Sequence, residues 1–331
     1  LSLLCGYYIV RPMRDEMGIA AGVENLQWLF TGTFVVMLAA VPLFGWVSSR
    51  YARQKFIPYI YGFFISNLLL FFALFTSDIT HAYVARAFFI WASVFNLFII
   101  SVFWSFMADV FSNEQAKRLF GFIAAGGTAG ALIGPALTTE LAIPLGPTNL
   151  LLLSAFFLGW AVVSVKRLIV WRGNVGINPD KRSEAPGPSD TSAMGGGILA
   201  GIYLVLRSPY LLGICLLILL LSTLATFLYF HQAQIIRDSF SDSSERIRVF
   251  AAIDFAVNAL TLILQVFLTG RIVNKLGIGW TLAVVPLGLG IGFLVLGFLP
   301  VMPVLIAIQI LRRAGNYSIM RPAREVLYVV V

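Results

Sequence analysis

Apolar runs of membrane-spanning length alternate with short polar connections along this sequence. Ten apolar runs are present, six of them before residue 171 and four after residue 196, and all but the first are of this length. About 20 apolar residues in a helix cross the hydrocarbon core of a bilayer, because each residue adds about 1.5 Å. The pattern therefore predicts an all-α polytopic membrane protein.

The ten runs predict ten helices. Their expected ranges are 1–10, 26–47, 57–76, 82–107, 119–142, 148–170, 210–234, 249–269, 280–299 and 303–320. The first run is too short to span a bilayer, so we interpret it as the end of a helix whose start is clipped. We expect the polar residues 11–18 that follow it to form a loop. The partly apolar segment 197–209 is typical of an interfacial helix.

Segment 171–196 is the one long polar stretch, and it is rich in proline, glycine and serine. Such a composition buries too little apolar surface to offset the entropy of ordering, which indicates a flexible linker. We therefore expect an N-terminal transmembrane half at 1–170, the linker at 171–196, and a C-terminal transmembrane half at 197–331.

The composition narrows the possible functions. Of 331 residues, 59% are hydrophobic and 11% are charged, whereas about 25% are charged in an average soluble domain. The net charge of +8 comes from basic residues scattered through short loops, which argues against nucleic-acid binding. Cys5 and Cys215 both lie in apolar runs, so we expect neither a disulfide nor a metal site. No catalytic motif is apparent, and we expect neither enzymatic activity nor a cofactor.

The distribution of basic residues predicts the orientation. With generous helix ends, 17 of the 23 Lys and Arg residues fall on the side of the membrane that contains the linker. Loops rich in Lys and Arg face the cytoplasm. The linker and the start of the chain are therefore expected to be cytoplasmic, in a protein of the bacterial inner membrane.

A similar turn follows the second and the eighth predicted helix. Each copy has a glycine, three further residues, a small polar residue, a cation and then a small residue two positions on. The copies contain Gly45, Arg50 and Arg53 in the first turn, and Gly270, Asn274, Lys275 and Gly277 in the second. They resemble the loop signature of the major facilitator superfamily, with Ser49 and Ala52 where that family usually has Asp and Gly. Two ordinary basic turns are the alternative interpretation.

The fifth predicted helix has a face of small residues. Gly126, Gly130 and Gly134 are spaced four apart, so they lie on one side of the helix. Small residues let another helix approach closely inside a membrane. The face is suited either to static packing or to sliding during a conformational change, and the sequence does not separate these.

Three windows, 7–18, 103–127 and 317–330, show a more specific resemblance. They are similar to the corresponding stretches of the ATP/ADP antiporter (NTP/NDP exchange) family, a divergent branch related to the major facilitators. The resemblance implies six plus six helices and exchange of nucleotides. The basic segment after helix 1 in that family corresponds here to Arg11, Arg14 and Asp15, with Arg14 where a lysine is common in the nucleotide exchangers.

Polar and charged side chains in or beside apolar runs are the candidate substrate-binding residues. A charge inside a membrane is costly unless it faces a cavity or a partner. The candidates are Arg11, Arg14, Asp15, Arg86, Asp254, Asn258 and Arg312. Arg11 and Asp15 are four residues apart and could pair on one helix face. The alternatives are that the arginines anchor at lipid headgroups and that Asp254 is a structural partner of an arginine.

A second set of charges lies on the linker side of the predicted membrane. Its members follow the fourth and the tenth predicted helices and suit either a salt-bridge gate or a solvated loop. They are Asp109, Glu114, Lys117, Arg118, Arg321, Arg324 and Glu325.

These patterns favour a secondary transporter of major facilitator type that works by alternating access around a midplane site. Inward arginines suit an anionic solute such as a nucleotide or an organic phosphate, because arginine binds phosphate bidentately. That solute and the lipid bilayer are the expected partners. One alternative is a membrane-embedded sensor or scaffold that keeps the fold. Another is a proton-coupled exporter that depends on Asp254.

Overall fold

The computed structural model describes residues 1–50, 53–77, 82–110, 113–174 and 205–327. Every regular element in these ranges is a helix, so the predicted all-α class is confirmed. The elements are α1 (Ser2–Ala20), a 3₁₀ turn (Val23–Asn25), α2 (Leu26–Arg50), α3 (Arg53–Thr76), α4 (Ala82–Val110), α5 and α6 (the arms 113–145 and 147–174 of the stretch Asn113–Asn174), α7 (Pro209–Ser239), α8 (Ser243–Leu264), α9 (Gly270–Phe298), α10 (Met302–Gly315) and α11 (Arg321–Leu327). Most of the predicted linker and interfacial segment lies outside the described ranges.

Short connections place successive helices antiparallel, so the bundle has two ends. The linker end is where α4 and α6 end and where α5 and α7 begin. The far end is where α1 ends and α8 begins. We call α1–α6 the N-terminal group of helices and α7–α11 the C-terminal group.

The stretch Asn113–Asn174 folds back on itself at Gly146. Its φ of 75° and ψ of 162° lie in a region that is essentially restricted to glycine. Gly134 on α5 and Ser154 on α6 both contact α1 at Cys5 and Gly6, respectively. A straight helix would separate positions 134 and 154 by about 30 Å. The two arms therefore form the separate helices that the sequence predicted on either side of residue 146.

Two helices continue through π-helical turns at the linker end. Gln265–Thr269 joins α8 to the start of α9, and Asn316–Met320 joins α10 to α11. The turns contact each other, since Thr269 Oγ1 donates a hydrogen bond of 2.9 Å to the carbonyl oxygen of Ser318. Such turns are rare and mark local adjustments of the helix. Within α9, the chain bends at Gly277, where φ is 73°.

Apolar outer faces fit the bundle to a membrane. Seven helical stretches in the described ranges are long and apolar enough to cross one, and Gly121–Val170 among them spans both α5 and α6. Phe122 is 78% exposed and Phe298 is 85% exposed. The helix α1 is not among the seven, and it contains four charged residues. The helix α10 is also absent, because it is only 14 residues long.

The helix α1 lies in the interior of the bundle, in contact with both groups. Close packing with α5 depends on the glycine face: a Cβ atom on Gly134 would lie 2.7 Å from the carbonyl oxygen of Cys5. On α6, the hydroxyl of Ser154 donates a hydrogen bond of 2.9 Å to the carbonyl oxygen of Gly6. The prediction that another helix approaches the small-residue face of α5 is confirmed.

The predicted end of the first helix is wrong. We expected it to stop at residue 10, but α1 continues to Ala20 and includes Arg11, Arg14, Asp15 and Glu16. These residues resemble a loop in sequence because they are charged. In the bundle they find partners on α7, α8 and α1 itself, which removes the cost of placing charges in the helix.

Candidate functional site

A buried carboxylate joins the two groups of helices near the middle of the bundle. Asp254 on α8 is 1% exposed. Its Oδ2 atom lies 3.3 Å from Nε of Arg11 on α1. Its Oδ1 atom accepts a hydrogen bond from Nη2 of Arg313 on α10. We call Arg11, Asp254 and Arg313 the central triad.

The three residues of the central triad lie at similar depth. Counted from the far end of their own helices, Arg11 is nine residues deep, and Asp254 and Arg313 are each eleven deep. At about 1.5 Å per residue these positions lie roughly 14–17 Å from the far end, close to half the thickness of a ~30 Å hydrocarbon core. The central triad therefore lies about half a bilayer thickness from the far ends of its helices.

A polar layer lies beside the central triad, one turn nearer the linker end. Asn258, one turn after Asp254 on α8, donates a hydrogen bond of 2.8 Å to the carbonyl oxygen of Ala131 on α5. The hydroxyl of Tyr8 donates to Oδ1 of Asn258 at 3.4 Å. The guanidinium of Arg11 lies 5.7 Å from the centre of the Tyr8 ring, within the range of a cation–π contact. Asn258 thus links three helices next to the triad.

Asp15 connects α1 to α7 one turn nearer the far end. It accepts hydrogen bonds on Oδ1 from Nη2 of Arg14 at 2.9 Å and from the hydroxyl of Tyr229 at 3.0 Å. Arg14 also lies over the ring of Phe89, 4.9 Å from its centre. The predicted pairing of Arg11 with Asp15 is wrong, because Arg14 and Tyr229 satisfy Asp15 while Arg11 faces the buried Asp254.

Glu16 and Arg246 form the second buried ion pair between the groups. The Glu16 side chain is 1% exposed and that of Arg246 is 15% exposed. Nε and Nη2 of Arg246 donate to the two carboxylate oxygens at 2.8 Å each, a bidentate geometry. Around this pair, apolar residues of both groups pack together: Ile19, Leu26, Leu29, Phe89, Ile236, Phe250 and Ile253. The far end is therefore closed.

The remaining substrate-binding candidates, Arg86 and Arg312, do not pair with Asp254 in the described part of the chain. Arg86 on α4 has a buried Nε atom without a hydrogen-bond partner in the described part of the chain. Its guanidinium lies 5.4 Å from the ring centre of the exposed Tyr83. Arg312 on α10 donates twice to Oε1 of the buried Gln309, at 3.2 and 2.7 Å. Arg312 lines a cavity inside the C-terminal group.

The gate candidates are only partly described. The side chains of Arg50, Arg53, Asp109, Glu114, Lys117 and Arg118 lie outside the described residues. Gly45 and Gly270 have open space beside them, and Asn274 and Lys275 are exposed. Nε of Arg321 lies 3.4 Å from Oε1 of Glu325 in an exposed pair. Arg321, Arg324 and Glu325 lie on α11, which continues from α10. Glycine is required at Gly277, because its backbone has a positive φ.

The sequence analysis missed two functional candidates, Glu16 and Arg246, which were passed over as loop charges. Arg313 was recognised with Gln309, Arg312 and Asn316 as part of a polar stripe on the tenth helix, with the end of that helix as the alternative, but only Arg312 was selected as a substrate-binding candidate. The adjacent arginines 312 and 313 directly follow an apolar run, which was the available signal. No comparable signal links Glu16 to Arg246, since 230 residues separate them. In the described ranges no three His, Cys, Asp or Glu side chains are arranged to hold a metal ion.

A bundle of membrane-crossing helices in two groups, joined by the buried ion pairs Arg11–Asp254 and Glu16–Arg246, is the architecture of a membrane carrier. The family model of the Major Facilitator Superfamily matches residues 2–323. The chain belongs to the Major Facilitator Superfamily, which supports secondary transport as its general function. No curated protein matches the chain. The finer resemblance to the ATP/ADP antiporters stays a prediction.

Proposed function

We propose that the protein transports an anionic solute of the nucleotide or organic-phosphate class by alternating access, and that Arg11 and Arg313 bind its anionic group. One observation supports this most directly: two arginines from opposite groups of helices share the single buried carboxylate of Asp254. A solute held by both arginines would contact both halves of the carrier. Binding would then be coupled to the relative position of the halves.

The charge of the central triad favours an anion. Two guanidinium groups and one carboxylate leave a net charge of about +1 in a largely dehydrated place. An uncompensated charge there is costly, and an additional anion offsets that cost. Arginine presents a planar fork of donors that matches phosphate and carboxylate oxygens. The solute anion would take the position that the Asp254 carboxylate has in this structure.

The closed far end identifies which state of the alternating-access cycle this structure would represent. Ion pairs between the two groups in the described ranges lie at the central triad or nearer the far end, at Arg11–Asp254, Glu16–Arg246 and Glu24–Arg237. Alternating access requires these contacts to separate when the far end opens. Arg312 and Arg313 lie in α10, so they no longer count as residues of a linker-side loop. The number of Lys and Arg residues on the linker side therefore falls from 17 to 15 of the 23. That majority still favours a cytoplasmic linker end and an external far end.

Uptake of radiolabelled phosphorylated solutes into proteoliposomes tests this function. Replacing Arg11 or Arg313 by Gln should weaken binding of the solute by about 1.5–3 kcal/mol, roughly ten- to a hundredfold. Arg11→Lys should restore uptake only partly, because lysine cannot bind bidentately. Arg237→Gln is the matched control, since Arg237 is exposed and 3.8 Å from Glu24. Unchanged uptake in both triad variants would contradict the proposal.

Proton-coupled export is the second candidate, and the burial of Asp254 favours it. A carboxylate that is 1% exposed between two arginines could take up a proton when those arginines move away. Protonation would then alternate with ion pairing as the halves move. Asp254→Asn should abolish a dependence of transport on the proton gradient under this scheme. Transport by the unmodified protein that does not depend on the proton gradient would exclude proton coupling.

A further inference from the structure

A small cavity lies wholly within the C-terminal group, between α7, α9, α10 and α11. Its volume is about 120 Å³. Its polar lining residues are Ser222, Arg312, Asn316 and Arg324, and the rest are apolar. No acidic residue of the described ranges lines it. None of the residues of the central triad lines it either.

The two arginines that line this cavity lack carboxylate partners in the described part of the chain. Arg312 uses Nε and Nη2 to bind the amide oxygen of Gln309, which leaves three of its five N–H donors without a protein acceptor there. Arg324 makes no ion pair in the described ranges, whereas Arg321 on the same helix pairs with Glu325. Two cations therefore line one small cavity, and neither has a carboxylate partner among the described residues.

An uncompensated pair of cations against apolar walls is unfavourable. Ile218, Leu221, Val285 and Leu289 surround the polar lining and lower the local dielectric constant. A cation without a carboxylate partner is costly in such a place, and a bound anion offsets that cost. Ser222 and Asn316 add a hydroxyl and an amide as neutral hydrogen-bond donors.

The size of the cavity limits the anion. Drug-sized ligands occupy pockets of about 300–1,000 Å³. A cavity of about 120 Å³ is smaller than these and suits a small anion such as one tetrahedral oxyanion.

We propose that Arg312 and Arg324, with Ser222 and Asn316, form a second anion site inside the C-terminal group that binds a single phosphate group. The site lies within one group, so it can be filled without the two groups separating. It does not depend on the proposed transport of an anion at the central triad. Two sources of phosphate suit it, free inorganic phosphate and the headgroup of an anionic lipid.

Calorimetric titration of inorganic phosphate into the full-length protein in neutral detergent tests the site. The Arg11→Gln variant serves as the parent, because it weakens any phosphate binding at the central triad. Arg324→Gln in this parent should lower the affinity for phosphate at least tenfold. Arg321→Gln, three residues away on the same helix and outside the cavity, should change it less than twofold. Absence of phosphate binding in the parent, or equal binding after Arg324→Gln, would overturn the proposal.

Two further arms keep the test decisive. If Arg324→Gln does not fold, Arg324→Lys retains the charge, and it should bind phosphate with an intermediate affinity. Nanodiscs of phosphatidylcholine and of phosphatidylglycerol distinguish the two sources. Loss of phosphate binding only in phosphatidylglycerol identifies a lipid headgroup as the occupant, and equal binding in both identifies the free anion. Either result supports a phosphate site at Arg312 and Arg324.

Discussion

Glu16 and Arg246 are 230 positions apart in the chain, yet two hydrogen bonds of 2.8 Å join them at the far end of the bundle. Glu16 is on α1 and Arg246 is on α8, so the pair joins the two groups of helices. Removal of one member of a buried ion pair typically costs about 3–5 kcal/mol, because the other charge is left uncompensated. The pair therefore stabilises the closed far end against the open one.

Arg246→Gln should open the far end. A cysteine in place of Ile236, which is 1% exposed within the far-end apolar cluster, reports the opening through its reaction with a membrane-impermeant thiol reagent. The exposed Cys215 is first replaced by serine. A shift of only 1.4 kcal/mol towards the open form raises the labelling rate about tenfold. We expect at least that increase.

The matched control for this prediction is Arg237→Gln. Arg237 also pairs across the groups, with Glu24 at 3.8 Å, but both side chains are exposed. Exposed pairs contribute about 0–1 kcal/mol, so the labelling rate should stay near that of the parent. Equal rates for Arg246→Gln and the parent would mean that the ion pair does not hold the far end closed.

Gly130→Ala should destabilise the N-terminal group. A Cβ atom at this position would collide with the backbone carbonyl oxygen of Leu1 and lie 3.0 Å from the amide nitrogen of Cys5. Backbone atoms cannot rotate away, so α1 and α5 must separate, at a cost of about 1–3 kcal/mol. Gly126→Ala is the control, because its Cβ atom would lie 3.8 Å from the nearest atom. Thermal unfolding in detergent should show a lower midpoint for Gly130→Ala alone.

Gly277→Ala should also destabilise the protein, for a conformational reason. The φ of 73° and ψ of 171° at Gly277 are strained for any residue with a Cβ atom, at about 1–3 kcal/mol. Gly279, two residues on, has open space and no positive φ. Alanine there should be neutral or stabilising, since glycine weakens a helix by about 0.5–1 kcal/mol. Equal unfolding midpoints for the two variants would contradict the assignment of Gly277 as the turn residue.

The sequence predicted the long apolar helices well and the charged one poorly. The predicted ranges 119–142 and 148–170 match α5 and α6, because their apolar runs are broken at Pro144, Gly146 and Pro147. The charges of α1 were assigned to a loop, since hydropathy alone cannot show that Asp254, Tyr229 and Arg246 supply partners. Such partners lie more than 200 residues away in the chain. Only the assembled bundle shows which charge faces which.

The candidate site was predicted in its residue types but not in its pairings. Arg11 and Asp254 were both named as substrate-binding residues, and the structure brings them together. Arg86 and Arg312 were named for the same reason, a charge in an apolar run, yet they lie elsewhere. Helical periodicity assigns a residue to a face of its own helix. It does not say which neighbouring helix covers that face.

Asp254→Asn separates the two transport schemes most sharply. The substitution leaves Arg11 and Arg313 without a carboxylate, so the central triad should be less stable when no anion is present. An anionic solute then binds without displacing Asp254, and its affinity should rise rather than fall. Thermal unfolding with and without the phosphorylated solute measures both effects. A larger solute-induced shift in midpoint for Asp254→Asn than for the parent is the expected result.

The double variant Arg11→Gln with Asp254→Asn provides the control for this prediction. It leaves Arg313 as the one charge of the central triad and restores a net charge of about +1, as in the parent. Its stability without solute should therefore exceed that of Asp254→Asn alone. The double-mutant cycle gives the coupling free energy between residues 11 and 254. Its affinity for the anion should be lower than that of Asp254→Asn, because one guanidinium fork is gone. Loss of solute binding in Asp254→Asn itself would show that the carboxylate takes part in binding, and would favour the proton-coupled scheme over competition between the solute and Asp254.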